Sequence, residues 1–125
     1  MLRCLIIDDS PEFLDAATRV LQLEGIDVVG VASSEAEAVR LARELRPDVT
    51  LVDIVLGTED GIAVARRLAE SDDRPAGKVI LISTHGEDEF ADLIHASPTI
   101  GFLQKAALSA EAITALSTEG RDRDD

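Results

Sequence analysis

The sequence predicts an α/β fold in which five parallel strands form one open, doubly wound sheet in the order 2-1-3-4-5. Three observations predict it. Short apolar runs alternate with stretches of helical periodicity, as in successive βα units. The runs are apolar at consecutive positions, as strands covered on both faces of a parallel sheet must be. The first and third runs end in aspartates, at the place where strand order reverses and such sheets bind ligands.

Leu2 to Ile7 is the first strand. Ser10-Pro11 opens a helix, with serine as N-cap and proline at the first helical position. Phe13, Ala16, Ala17, Val20 and Leu21 form its expected buried stripe, and Gly25 ends it. Val28 to Ala32 is the second strand. Ser34 and Glu37 have the spacing of a capping box, followed by a core face of Ala38, Leu41, Ala42 and Leu45. Val49 to Val52 is the third strand and ends at Asp53. Leu56 to Gly61 reads as a loop before a helix from Ile62 to Ala69. Lys78 to Ile82 is the fourth strand, ending at Ser83 and Thr84. Phe90, Leu93 and Ile94 mark a short fourth helix closed by Pro98. Ile100 to Leu103 is the fifth strand, followed by Lys105. Ser109 caps the last helix, with Leu108 and Ile113 placed as a hydrophobic staple. Residues 1–118 form one domain. Residues 119–125 are a charged tail, expected to fray, or the start of a linker.

Composition narrows the function. The 125 residues suit one domain, and 46% hydrophobic content is globular, but aromatics are only 2%, so aliphatic side chains fill the core. A net charge of −13 argues against nucleic-acid binding, which needs clustered cations. No apolar run approaches the ~20 residues of a membrane helix. A single cysteine, Cys4, and a start that runs straight into a strand suggest a reducing, cytoplasmic setting.

The chemistry lies at the strand ends. Asp8 and Asp9 follow the first strand, Asp53 the third and Lys105 the fifth. On neighbouring parallel strands they meet at one sheet edge. Clustered acids repel unless a cation lies between them, and the lysine would then face an anion held beside that cation. An aspartate that accepts a phosphoryl group uses all of these parts.

With Ile6-Ile7-Asp8-Asp9-Ser10, Val52-Asp53-Ile54, Glu59-Asp60-Gly61, Leu81-Ile82-Ser83 and Gly101-Phe102-Leu103-Gln104-Lys105 in this order and spacing, residues 1–118 resemble the receiver domain of bacterial two-component response regulators. The resemblance implies a flavodoxin-like (βα)5 sandwich. It implies Mg2+ held by Asp8, Asp9, Asp53 and the backbone carbonyl of Val55, and Asp53 as phosphoacceptor. Ser83 and Lys105 would contact the phosphoryl group, with Ser83 and Phe102 as the switch. The phosphoryl donor would be a sensor histidine kinase or a histidine phosphotransfer protein. The receiver would catalyse only its own phosphorylation and dephosphorylation, and it could act through an output domain or as a homodimer. Gly57 and Ala106 stand where the family often has proline. Glycine would loosen the loop beside the site, and a cis bond before Ala106 would be costlier than one before proline.

Each residue also has a plainer reading. Asp53 could be a turn acid, Asp9 a helix-dipole acid and Lys105 a solvated lysine, but their common register favours a site. Ser83 and Thr84 are neighbours, and only one can face the site; the resemblance selects Ser83. Phe102 could be simply a core aromatic. His85 reads as a solvated loop residue, His95 as a helix-end cation, Cys4 as a small core residue, and the acids from Glu87 to Asp92 as a solvated helix face.

Competing functions fit less well. A dehalogenase-type aspartyl-phosphate hydrolase needs an aspartate two residues past its nucleophile, where this chain has Val55 or Ser10. A flavodoxin-like cofactor carrier needs a phosphate loop, which Asp8-Asp9-Ser10-Pro11 is not, and no glycine-rich nucleotide loop is present. A binding module that acts without phosphorylation would have no use for the complete acid set.

Overall fold

A computed structural model describes residues 1–84, 92, 99 and 101–123, with 118–123 as backbone alone. The described elements are β1 (Arg3–Ile7), α1 (Pro11–Leu23), β2 (Asp27–Ala32), α2 (Glu35–Leu45), β3 (Val49–Asp53), β4 (Val55–Leu56), β5 (Glu59–Asp60), α3 (Gly61–Glu70), β6 (Lys78–Ser83), β7 (Gly101–Gln104) and α4 (Ala110–Arg123). A 3-10 turn, Lys105–Ala107, joins β7 to α4. The main sheet is parallel in the order β2-β1-β3-β6-β7, which is the expected order once the small β4–β5 hairpin is counted separately.

Alternate positions along each strand feed two apolar layers. Leu5, Ile7, Val52, Val79 and Leu81 pack with Ala38 and Ala42 of α2 and with Ile62, Ala65 and Leu68 of α3. Cys4, Ile6, Leu51, Ile80 and Ile82 pack on the other face with Leu14, Ala17 and Leu21 of α1 and Ile113 of α4. The three central strands are therefore closed to water on both sides.

Local chemistry sets the element ends. Ser10 Oγ accepts from the Phe13 N–H, and Pro11 begins α1. Gly25 takes a positive φ just past the helix, as a C-terminal stop requires. Asp60 caps α3 by accepting from the N–H groups of Ile62 and Ala63. Gly61 is required by contact: a Cβ there would lie 1.7 Å from the Asp53 carbonyl oxygen.

The structure corrects several expectations. The buried stripe of α1 is Leu14, Ala17 and Leu21, whereas Ala16 and Val20 are exposed and Phe13 is half-buried. The spacing was helical but its phase was about one position off. Glu37 accepts from the Ser33 N–H instead of closing a box with the Ser34 N–H, although Ser34 Oγ caps Glu37 as expected. The expected loop after Leu56 contains the antiparallel β4–β5 hairpin, with Val55 opposite Asp60 and Leu56 opposite Glu59. The last helix continues to Arg123, into the stretch expected to fray. Ser109 caps it through the Ala112 N–H, and Leu108 and Ile113 share one apolar cluster, as a staple would. The expected helix around Phe90, Leu93 and Ile94, with His85 and His95, lies outside the described residues.

Candidate functional site

Strand register brings the site together. Ile7 of β1 pairs with Val52 of β3, so Asp8 and Asp53 emerge side by side. Asp53 is level with Ile82 of β6, and Ser83 is level with Gln104 of β7, immediately before Lys105. Asp8 is fully buried, Asp53 is 6% exposed and Ser83 is 1% exposed. Asp9 lies at the surface, and so does Thr84, so the serine is the enclosed hydroxyl of the pair.

Each buried carboxylate is held at one oxygen by the backbone. Asp8 Oδ1 accepts from the Ser10 N–H at 2.9 Å, and Asp53 Oδ1 accepts from the Val55 N–H at 3.1 Å. The other oxygens face the Lys105 ammonium, which lies 2.5 Å from Asp8 Oδ2 and 3.1 Å from Asp53 Oδ2. Asp8 Oδ2 is buried, and among the described residues it has no hydrogen-bond partner besides this ion pair. The ammonium also lies 4.3 Å from the centre of the Phe13 ring. Sequence reasoning missed that contact. Its signal was position: Phe13 stands in the first turn of α1, and helical side chains lean toward the N-terminus, here toward the acid pair.

The electrostatics are opposed. Burial raises the Asp53 pKa above its ordinary 3.8, the Lys105 hydrogen bond pulls it down, and the nearby Asp8 charge pushes it up again, for a net rise. Burial alone would lower the Lys105 pKa, but its bonds to Asp8 and Asp53 outweigh this and raise it above 10.5. The site therefore holds more negative charge than one ammonium neutralises.

Oxygens of Asp8, Asp9 and Asp53 all lie within 4.8 Å of one another. A small hard cation with oxygens at about 2.1 Å needs opposite ligands only about 4.2 Å apart, so a small contraction would let these three hold one. The donor set is all carboxylate oxygen, which suits Mg2+ and not a soft metal. Val55, at the start of the hairpin, is pinned beside Asp53 by its own N–H. Gly57, at the hairpin tip with φ of 60°, lies so close to Asp9 that a Cβ would stand 3.4 Å from Asp9 Oδ2. The Lys105–Ala106 peptide is trans. Phe102 is half-buried on the α2–α3 face, where it pairs with Leu81 in the strand register.

Comparison with known proteins identifies the family. The family model described as the response regulator receiver domain matches residues 4–117. The chain belongs to that family. It is 32% identical over 117 residues to the response regulator GacA of Pseudomonas aeruginosa, covering 93% of this chain and 54% of that protein. It is 36% identical over 125 residues to protein-glutamate methylesterase/protein-glutamine glutaminase 5 of Myxococcus xanthus, covering 94% of this chain and 32% of that one. The receiver thus spans about half or less of the length of these relatives. Among solved structures, the signal receiver domain of the response regulator NarL from Mycobacterium tuberculosis superposes with a TM-score of 0.79 at 30% identity, covering 94% of this chain and 96% of that one. That of a modulated diguanylate cyclase from Desulfovibrio desulfuricans gives 0.82 at 28% identity, covering all of this chain and 99% of the other. This is the receiver module of two-component signal transduction. Among the described residues no helix is long and apolar enough to cross a membrane.

Proposed function

We propose that this receiver works by phosphorylation of Asp53. The observation that carries the reading is the meeting of Asp8, Asp9, Asp53 and Lys105 at one sheet edge in a chain of this family. One Asp53 carboxylate oxygen attacks the phosphorus of a partner's phosphohistidine. The P–N bond breaks, the imidazole leaves, and Asp53 carries an acyl phosphate. Water later cleaves that acyl phosphate and restores the carboxylate. The domain would thus catalyse its own phosphorylation and dephosphorylation and no other reaction. Asp8, Asp9, Asp53 and the Val55 carbonyl would hold Mg2+, which when bound neutralises charge on the acids and the transferring group. Lys105 would shift from the carboxylates to the phosphoryl oxygens.

The output is a change of shape. Ser83 ends β6 on the side shared by Leu81 and Phe102, because alternate strand residues face the same way. A phosphoryl group on Asp53 adds about two negative charges, which would draw the Ser83 hydroxyl toward it. Phe102 can then turn inward, gaining burial with no polar group to satisfy. The donor would be a sensor histidine kinase or a histidine phosphotransfer protein, and the setting cytoplasmic. Output would pass to an attached domain or a second copy, with no direct contact to nucleic acid.

The test is intact-mass measurement after treatment with a small acyl phosphate and Mg2+. One added phosphoryl group is expected on the wild type and none on Asp53→Asn. Equal uptake by the variant would overturn the assignment.

A further inference from the structure

We infer that Phe13 is a positioning residue for phosphoryl transfer: its ring holds the Lys105 ammonium over the site through a cation–π contact. The inference rests on the reading of Asp53 as phosphoacceptor. An ammonium has three N–H donors. Two directions are taken by Asp8 Oδ2 at 2.5 Å and Asp53 Oδ2 at 3.1 Å, and the Phe13 ring lies in a third, 4.3 Å from Nζ to centroid. The lysine side chain is only 13% exposed, so water competes weakly for that direction.

The contact closes a ring of interactions. Asp8 Oδ1 accepts from the Ser10 N–H, Ser10 Oγ accepts from the Phe13 N–H, the Phe13 ring meets Lys105, and Lys105 pairs with Asp8 Oδ2. Metal-site acid, helix cap, aromatic ring and lysine are thus set by one another. Burial accounts for Phe13 only in part. The buried residues of α1 are Leu14, Ala17 and Leu21, whereas Phe13 stays half-buried at the margin of that cluster.

The ring also differs in kind from the other partners. In the proposed reaction Asp53 becomes an acyl phosphate and both carboxylates give up the lysine, whereas the ring is unchanged. When the lysine leaves Asp8 and Asp53 for the phosphoryl oxygens, a π face lets the ammonium swing while it stays over the site. Leucine at this position would cover the lysine stem but offer nothing to the charge.

The test compares wild type with Phe13→Leu and Phe13→Tyr. Lys78 and Lys105 are the chain's two lysines, so their ε-methylene NMR signals are readily assigned. In wild type and Phe13→Tyr the Lys105 signal is expected upfield through the ring current, and in Phe13→Leu at an ordinary position. With acetyl phosphate and Mg2+, Phe13→Leu should lose roughly threefold to tenfold in maximal phosphorylation rate, with the half-saturating donor concentration little changed. Phe13→Tyr should recover most of that loss. An unshifted Lys105 signal in wild type, a Phe13→Leu rate equal to wild type, or a Phe13→Tyr as slow as Phe13→Leu would each overturn the inference. Wild type that takes up no phosphoryl group would remove the Asp53 reading and this inference together, whereas normal uptake with an equally fast Phe13→Leu removes this inference alone.

Discussion

The two ends of the sheet treat polar groups in opposite ways. At the amino end they are stitched together. The Arg3 N–H donates to Asp48 Oδ2 at 2.8 Å, the Asp48 N–H to the Arg3 carbonyl at 2.8 Å, and the Lys78 N–H to the Asp48 carbonyl at 3.0 Å. The Arg3 guanidinium reaches the Arg46 carbonyl, and the Lys78 ammonium reaches the Ser117 carbonyl of α4. Thr50, fully buried, gives its hydroxyl hydrogen to the Ala76 carbonyl at 2.7 Å. At the carboxyl end, Asp8 and Asp53 are buried beside each other and share one ammonium. One end lowers the free energy of the fold. The other keeps negative charge in tension, which a bound cation would relieve.

Removing a polar group should therefore have opposite consequences at the two ends. The largest effect is on chemistry: Asp53→Asn should abolish phosphoryl uptake completely, by the intact-mass measurement, while raising the thermal midpoint, because it deletes a charge that burial disfavours. A lowered midpoint would mean that the Lys105 pairing outweighs the burial of the charge.

Gly61→Ala comes next. The added methyl would stand 1.7 Å from the Asp53 carbonyl oxygen, a backbone atom that cannot rotate away. α3 must then shift from the end of β3, at a cost of about 1–3 kcal/mol or more, measurable by chemical denaturation. Phosphorylation should fall as well, since the displaced strand end carries Asp53. At the amino end, Thr50→Val keeps shape but leaves the Ala76 carbonyl short of its donor. Denaturation should show a loss of about 1–3 kcal/mol, with phosphoryl uptake unchanged. Reduced uptake would show that the ends are coupled and not independent.

The sequence made the carboxyl end unusually readable. Apolar runs stop abruptly at Asp8, Asp53, Ser83 and Gln104-Lys105, and strand periodicity carries those endpoints to one edge. Phe13 was legible as a helical residue but not as a neighbour of Lys105, because nothing local links positions 92 residues apart in a chain (105 less 13). The β4–β5 hairpin was missed because two residues per strand are too few to show alternation, and the turn glycine reads equally as loop. In α1 the stripes through Leu14 and through Ala16 and Val20 both have helical spacing, and only the sheet beneath decides between them. At the amino end, the bonds among Arg3, Arg46, Asp48 and Lys78 join segments far apart in sequence and involve backbone groups that every residue carries.

The smallest effect is the most direct measure of stored charge: the pH dependence of the stability difference between Asp53→Asn and wild type. The folded Asp53 pKa lies above its ordinary 3.8. Between those two values the folded wild type holds more protons than the unfolded chain, so its stability falls as pH rises through that window and then levels off. Asparagine has no such titration. At about pH 3, where Asp53 is largely protonated in both states, the two proteins should be nearly equal in stability, and the variant should gain as pH rises through that window and then keep a constant lead. Contributions common to both proteins cancel from the difference. Denaturation at a series of pH values reads this curve. A difference that stayed flat would mean that burying the Asp53 charge costs nothing, and the carboxyl end would then be as relaxed as the amino end.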